Sequence, residues 1–226
     1  MKKYLWLLMF VSTTSFGYIS EGTKDIPTFY TNIVYGLSNI HQSKLVNSNS
    51  PSTLTGYTLG AFAGVNKSLG LSVSRESVAT TFELNSSSFK LDWQDVILRY
   101  RFAYFYLGLN LSQVELKVNK EQTDILDAGG NGLGYTGGML IPFKGSGSFV
   151  LDYTAALITK VRNSLDQEVT SVAKSDLDLH LDVAITSHSF GFISGYKQRT
   201  LSIKTDASYN DLIKSTYLGF RASLDF

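Results

Sequence analysis

The residues best suited to chemistry lie in one short stretch, Ser175-Asp176-Leu177-Asp178-Leu179-His180-Leu181-Asp182. Three carboxylates and an imidazole alternate there with leucine. An extended chain sends successive side chains to opposite faces, so Asp176, Asp178, His180 and Asp182 share one face. Two chemistries fit this pattern. An aspartate beside a histidine can orient the ring so that it takes a proton from water. The same carboxylates can instead pair with cations on a neighbouring strand. The next alternating run supplies such cations: joining Ile185 to Phe190 across a short turn sets Asp178 opposite Lys197 and Asp176 opposite Arg199. Directly opposed unlike charges in a sheet contribute roughly 0.2–1 kcal/mol each. We read the stretch as an ion-pair ladder. A second charged group follows the same parity, with Asp95, Arg99 and Arg101 on one run and Arg221 on the last.

Other candidates are weaker. His188 sits between Ser187 and Ser189 in a short turn, and His41 opens a polar connection. Three scattered histidines and no cysteine make no ligand set for a transition metal. Asp124 and Asp127, followed by Gly129-Gly130-Asn131-Gly132, lack the acidic positions and closing glutamate of a calcium loop. Gly130-x-Gly132-x-Gly134 leads into a strand, with no helix behind it to hold a phosphate. No cofactor is expected.

The elements that must position these residues are strands. Ten alternating runs fill the chain from about Thr28 onward. Phe29, Thr31, Ile33, Tyr35 and Leu37 form one face of the first. Leu218, Phe220, Ala222, Leu224 and Phe226 form one face of the last. In the fourth run the apolar parity changes, from Leu91 and Trp93 to Val96, Leu98, Tyr100 and Phe102. That predicts a bulge near Gln94-Asp95, or a strand end that has left the lipid. Most runs exceed both the 5–6 residues usual in globular strands and the 9–11 a tilted strand needs to cross a bilayer, so the excess is expected to project beyond the lipid. Connections alternate in length. Asn66 to Ser68, Ala103-Tyr104, Lys144 to Ser146 and Thr186 to Ser189 are tight. His41 to Ser52, Glu83 to Ser88, Asn119 to Ala128, Asn163 to Lys174 and Lys204 to Leu212 are longer and polar. This rhythm predicts an all-β fold: a closed, antiparallel, up-and-down transmembrane barrel of about ten strands, the first paired with the last. Glycines on the polar face leave space that long charged side chains would fill, or that would form a narrow water path.

The chain's start reads as a targeting segment. Lys2 and Lys3 precede an apolar run from Tyr4 to Val11, too short for a membrane helix, and small residues end it at Ser15 and Gly17. We expect a signal peptide over 1–17, a periplasmic segment over 18–27 and the barrel over 28–226. The 226 residues carry a formal net charge of +1, which gives no electrostatic case for nucleic acid. Absent cysteine excludes disulfides and a lipidated N-terminal cysteine.

The terminal Leu224-Asp225-Phe226, closing an alternating strand, resembles the C-terminal signature of bacterial outer-membrane β-barrels. Together with the targeting segment and the loop rhythm, it likens residues 28–226 to that superfamily. The resemblance implies an outer-membrane location, contact with its lipids, and delivery to the barrel assembly machinery through the last strand, with Phe226 as the signal read. It implies a structural or surface-interaction role or, in the second place, a narrow passive channel. Asp178-x-His180 is also similar to the Asp-x-His pair of omptins, ten-stranded outer-membrane proteases. Those enzymes need an acidic Asp-x-Asp pair on an early strand as well. Here Asp92 and Asp95 have the wrong spacing, while Glu76 and Glu83 are isolated. Lipid A deacylases place a His and a Ser two apart on a strand, whereas His188 adjoins its serines within a turn. An enzyme is therefore not expected.

Overall fold

The computed structural model describes residues 28–41, 51–80, 87–120, 123–143, 147–158, 161–163, 168–169, 172–184, 190–204 and 208–224. The expected signal peptide, the 18–27 segment, His188-Ser189 and Phe226 lie outside them. The strands are β1 (Phe29–His41), β2 (Pro51–Ala63), β3 (Leu69–Thr80), β4 (Ser87–Phe102), β5 (Phe105–Lys120), β6 (Thr123–Phe143), β7 (Gly147–Ile158), β8 (Val161–Asn163), β9 (Glu168–Val169), β10 (Val172–Ala184), β11 (Phe190–Lys204) and β12 (Ser208–Leu224). Ten of them form a closed antiparallel meander, and β8 with β9 makes a small ribbon beside β6. Closure comes from β1 against β12, with Phe29 opposite Leu224 and His41 opposite Leu212. The β10–β11 register sets Asp176 against Arg199 and Asp178 against Lys197, as the short-turn argument requires.

The longer connections are shorter than the sequence suggested. Strand pairing runs through much of the segments expected as loops. On β5 and β6, Asn119 pairs with Asp124 and Lys120 with Thr123, past an irregularity at Val118/Asn119. Polar composition alone misled here, because strands outside a membrane turn a polar outer face to water.

That same effect explains the parity change in β4. No bulge lies at Gln94-Asp95: β4 pairs with β3 and β5 in unbroken register through both residues. The hydrophobic face changes sides instead. Near the tight-turn end, the apolar residues point outward and are exposed, as with Leu98, Leu109, Leu133, Phe192, Leu218 and Phe220. Near the loop end, they point inward. Leu54, Val78, Phe89, Leu91, Trp93, Val114, Leu116, Ile158, Val172, Leu201 and Ile213 are buried together as one core. The outer positions above Val96 and Leu111 become Gln94, Asp92 and Lys90 on β4, and Gln113, Glu115 and Lys117 on β5. One barrel therefore has two regimes. A belt of apolar exterior encloses a polar interior, and above it a polar exterior encloses an apolar interior.

Three inward glycines of the polar half are seats for aromatic rings. A Cβ on Gly60 would lie 2.3 Å from the Tyr30 ring, on Gly70 2.8 Å from Phe62, and on Gly195 2.5 Å from Tyr217. Such approaches cannot be relieved without moving the ring or the strand. We predict that Gly195→Val, by displacing Tyr217, lowers the thermal stability of the folded barrel by about 1–3 kcal/mol. Gly129→Ala, whose Cβ would make only ordinary contact at 3.5 Å, should leave it unchanged. Heat-modifiable migration on gels across a temperature series measures both.

Candidate functional site

Four strands place a carboxylate-rich ladder in the lumen, three of them neighbours and one opposite. Alternation directs Asp176, Asp178, His180 and Asp182 of β10 inward, Lys197 and Arg199 follow on β11, and Tyr217 comes from β12. The fourth contributor is Glu76 of β3, on the far side of the lumen. Arg199 donates from Nε to Asp176 at 2.8 Å and from Nη2 to Glu76 at 2.6 Å. Lys197 lies 2.5 Å from Glu76 and 3.2 Å from Asp178, whose other oxygen accepts from the Tyr217 hydroxyl at 2.6 Å. The links from β11 to Glu76 are struts across the barrel.

A second knot sits at the border of the apolar core. Asp95 accepts from Lys174 at 2.5 and 2.6 Å, from the Trp93 indole at 2.9 Å, and from Ser112. The Trp93 ring also lies under two cations, with Lys174 Nζ 3.8 Å and the Arg199 guanidinium 3.9 Å from its centroid. Cations over an indole gain most where water is excluded. A third bond crosses nearer the turn end, where Arg99 donates to Asp152 at 2.7 Å and to Ser72 at 3.0 Å. Arg221 pairs with Asp182.

The structure thus does not gather the second charged group as the sequence had it. Asp95 binds Lys174 rather than Arg99. Arg99 reaches Asp152, Arg221 meets Asp182, and Arg101 donates to the Ala103 carbonyl at 3.0 Å. Sequence reasoning missed Glu76, Asp152 and Lys174 as partners and Trp93 as their platform. The missed signal was parity: Glu76 lies on the inward face of β3 once the strand is carried to Thr80, and Lys174 on that of β10 once it starts at Val172. His180 Nδ1 lies 3.6 Å from Asp178, but that carboxylate is already held by Lys197 and Tyr217. Among the described residues, no cluster of His, Asp and Glu could hold a metal ion.

On the turn side of this network lies a cavity of about 200 Å³, lined among others by Tyr30, Asn32, Arg99, Tyr106, His180 and Arg221. On the loop side lies the apolar core.

No family model matches the sequence, and no curated protein matches it. Solved structures do. Neisserial surface protein A shares 14% identity over 87% of this chain and 97% of its own, with a TM-score of 0.51. The fold is that of a bacterial outer-membrane β-barrel. The β domain of the Bordetella autotransporter BrkA (11% identity, 87% and 99% covered, TM-score 0.43) and Ail of Yersinia pestis (13%, 87% and 99%, 0.38) are more distant in shape. The apolar belt agrees with this fold and gives the wall a height suited to lipid.

Removing one partner of a buried ion pair leaves the other charge uncompensated, at a cost of about 3–5 kcal/mol. We predict that Glu76→Ala, which removes the carboxylate shared by Lys197 and Arg199 and leaves them only Asp178 and Asp176, destabilises the barrel by up to that order. Glu115→Ala, on the outer face of the projecting strands, should change stability by less than about 0.5 kcal/mol. Thermal unfolding in detergent micelles separates the two.

Proposed function

We propose that the protein is a non-enzymatic outer-membrane barrel with a structural and surface-interaction role, its interior a closed strut rather than a conduit. The observation that carries this reading is the buried apolar core across the loop half of the lumen, in which Leu91, Ile158 and Leu201 are 0% exposed. An aqueous pore needs a wettable path from end to end, and this layer offers none. By the rule that short turns face the periplasm and longer loops face outward, the core lies on the external side. There it does for the projecting strands what the core of a soluble sandwich does. It keeps them rigid where lipid no longer supports them, so the loops stand on a stiff collar. A stiff collar lowers the ordering cost when loops meet a partner.

The charged layer below adds a second obstacle, since its carboxylates and cations neutralise one another across the lumen instead of lining a channel with one sign of charge. The purified, folded protein in planar bilayers should show no discrete conductance steps. Regular single-channel events from the wild-type barrel would overturn the closed reading in favour of a passive channel.

A further inference from the structure

The cavity reaches from the turn end to the ion-pair layer, whose Glu76, Asp176, Asp178, Lys197 and Arg199 belong to its lining. That lining also carries two guanidiniums that are only partly used. Arg99 spends Nη1 on Ser72 and Nη2 on Asp152, and Arg221 spends Nη1 on Asp182. Nε of each is buried and has no hydrogen-bond partner. Both belong to the cavity lining, and Tyr30 lies beside both. An unsatisfied buried donor costs about 1–3 kcal/mol, more when charged, so two on one cavity ask for an acceptor. Apolar side chains share this lining, with Phe62 and Leu140 at the turn-end mouth and Ile193 two residues deeper than Arg221 in the β11–β12 register. Asp152 and Asp182 belong to it as well.

We propose that this cavity is a binding site for a small organic anion with an apolar body, such as an aromatic or short-chain carboxylate, taken from the turn-end compartment. The carboxylate accepts from the Nε groups of Arg99 and Arg221, as charge-assisted hydrogen bonds to guanidinium favour. The apolar body rests against the phenyl and leucine side chains of the mouth. Asn32, whose side-chain oxygen is also buried and unpartnered on this cavity, adds a polar contact for a substituent on the ligand. The site needs no opening of the lumen. It is a dead-end pocket, independent of whether the barrel conducts.

The test is saturation binding to the full barrel in lipid nanodiscs, with empty nanodiscs subtracted for partitioning. Three probes separate the parts of the argument: benzoate, benzyl alcohol as its neutral counterpart, and inorganic phosphate as an anion without an apolar body. Benzoate should saturate at one site, and each of the other two should bind at least about tenfold more weakly. Arg221→Gln should weaken benzoate by about tenfold or more. Leu140→Trp keeps both arginines and narrows the mouth. It should abolish binding in a barrel that remains heat-modifiable, which covers the case in which Arg221→Gln fails to fold. Unsaturable benzoate binding, equal binding of benzyl alcohol, or unchanged affinity in folded Leu140→Trp would each reduce the cavity to a hydrated vestibule and overturn the site.

Discussion

Every backbone N–H and C=O at membrane depth must find its partner inside the protein, because lipid offers none. Closure satisfies that demand, and most of the structure follows from it. β1 and β12 come from the two ends of the described chain and pair along thirteen residues. Once the sheet is closed, each strand has one wall facing out and one facing a narrow lumen. A ten-stranded lumen is far narrower than the channel of a 16–18-stranded porin, and side chains fill it. The side chains that reach across it are the long ones, and in the lipid-bound half those are arginine, lysine, tyrosine and glutamate.

The polarity of the two walls then obeys the medium outside. Where lipid surrounds the barrel, apolar side chains are spent on the exterior and the interior is held by charge, each ion brought inward with a counter-ion. Where water surrounds the same strands, apolar side chains return to the interior. Trp93 stands at the border with a face for each regime. Its neighbours on β4, β5 and β3 belong to the dry core, while Lys174 and Arg199 press on its ring and Asp95 takes its N–H. The border is therefore a continuous packed layer.

Much of this was legible in the sequence, and for one reason. Period-2 alternation fixes which residues share a face, and a short turn then fixes register, so Asp176–Arg199, Asp178–Lys197 and the closure of first strand on last all follow from spacing. The partnerships of Glu76 with Arg199, Asp152 with Arg99 and Asp95 with Lys174 were not legible. They cross the lumen between strands far apart in sequence, and their matching depends on the stagger of the whole barrel. The parity change at Gln94 was visible, but one strand could not distinguish a bulge from a change of medium. Only Leu54, Val78, Leu116, Ile158, Val172 and Leu201 at the same height make the second reading plain.

The central claim is that the barrel's interior is dry and packed at the level of Trp93, shielded from lipid by the wall and from water by the core. Of the chain's two tryptophans, Trp6 lies in the expected signal peptide, so Trp93 is the single reporter in a barrel prepared from residue 18 onward. In bilayers, its fluorescence should resist both acrylamide in the water and brominated acyl chains in the lipid. Strong quenching by acrylamide would mean a wet lumen, strong quenching by brominated lipid would mean that this face points outward, and either result would contradict the account.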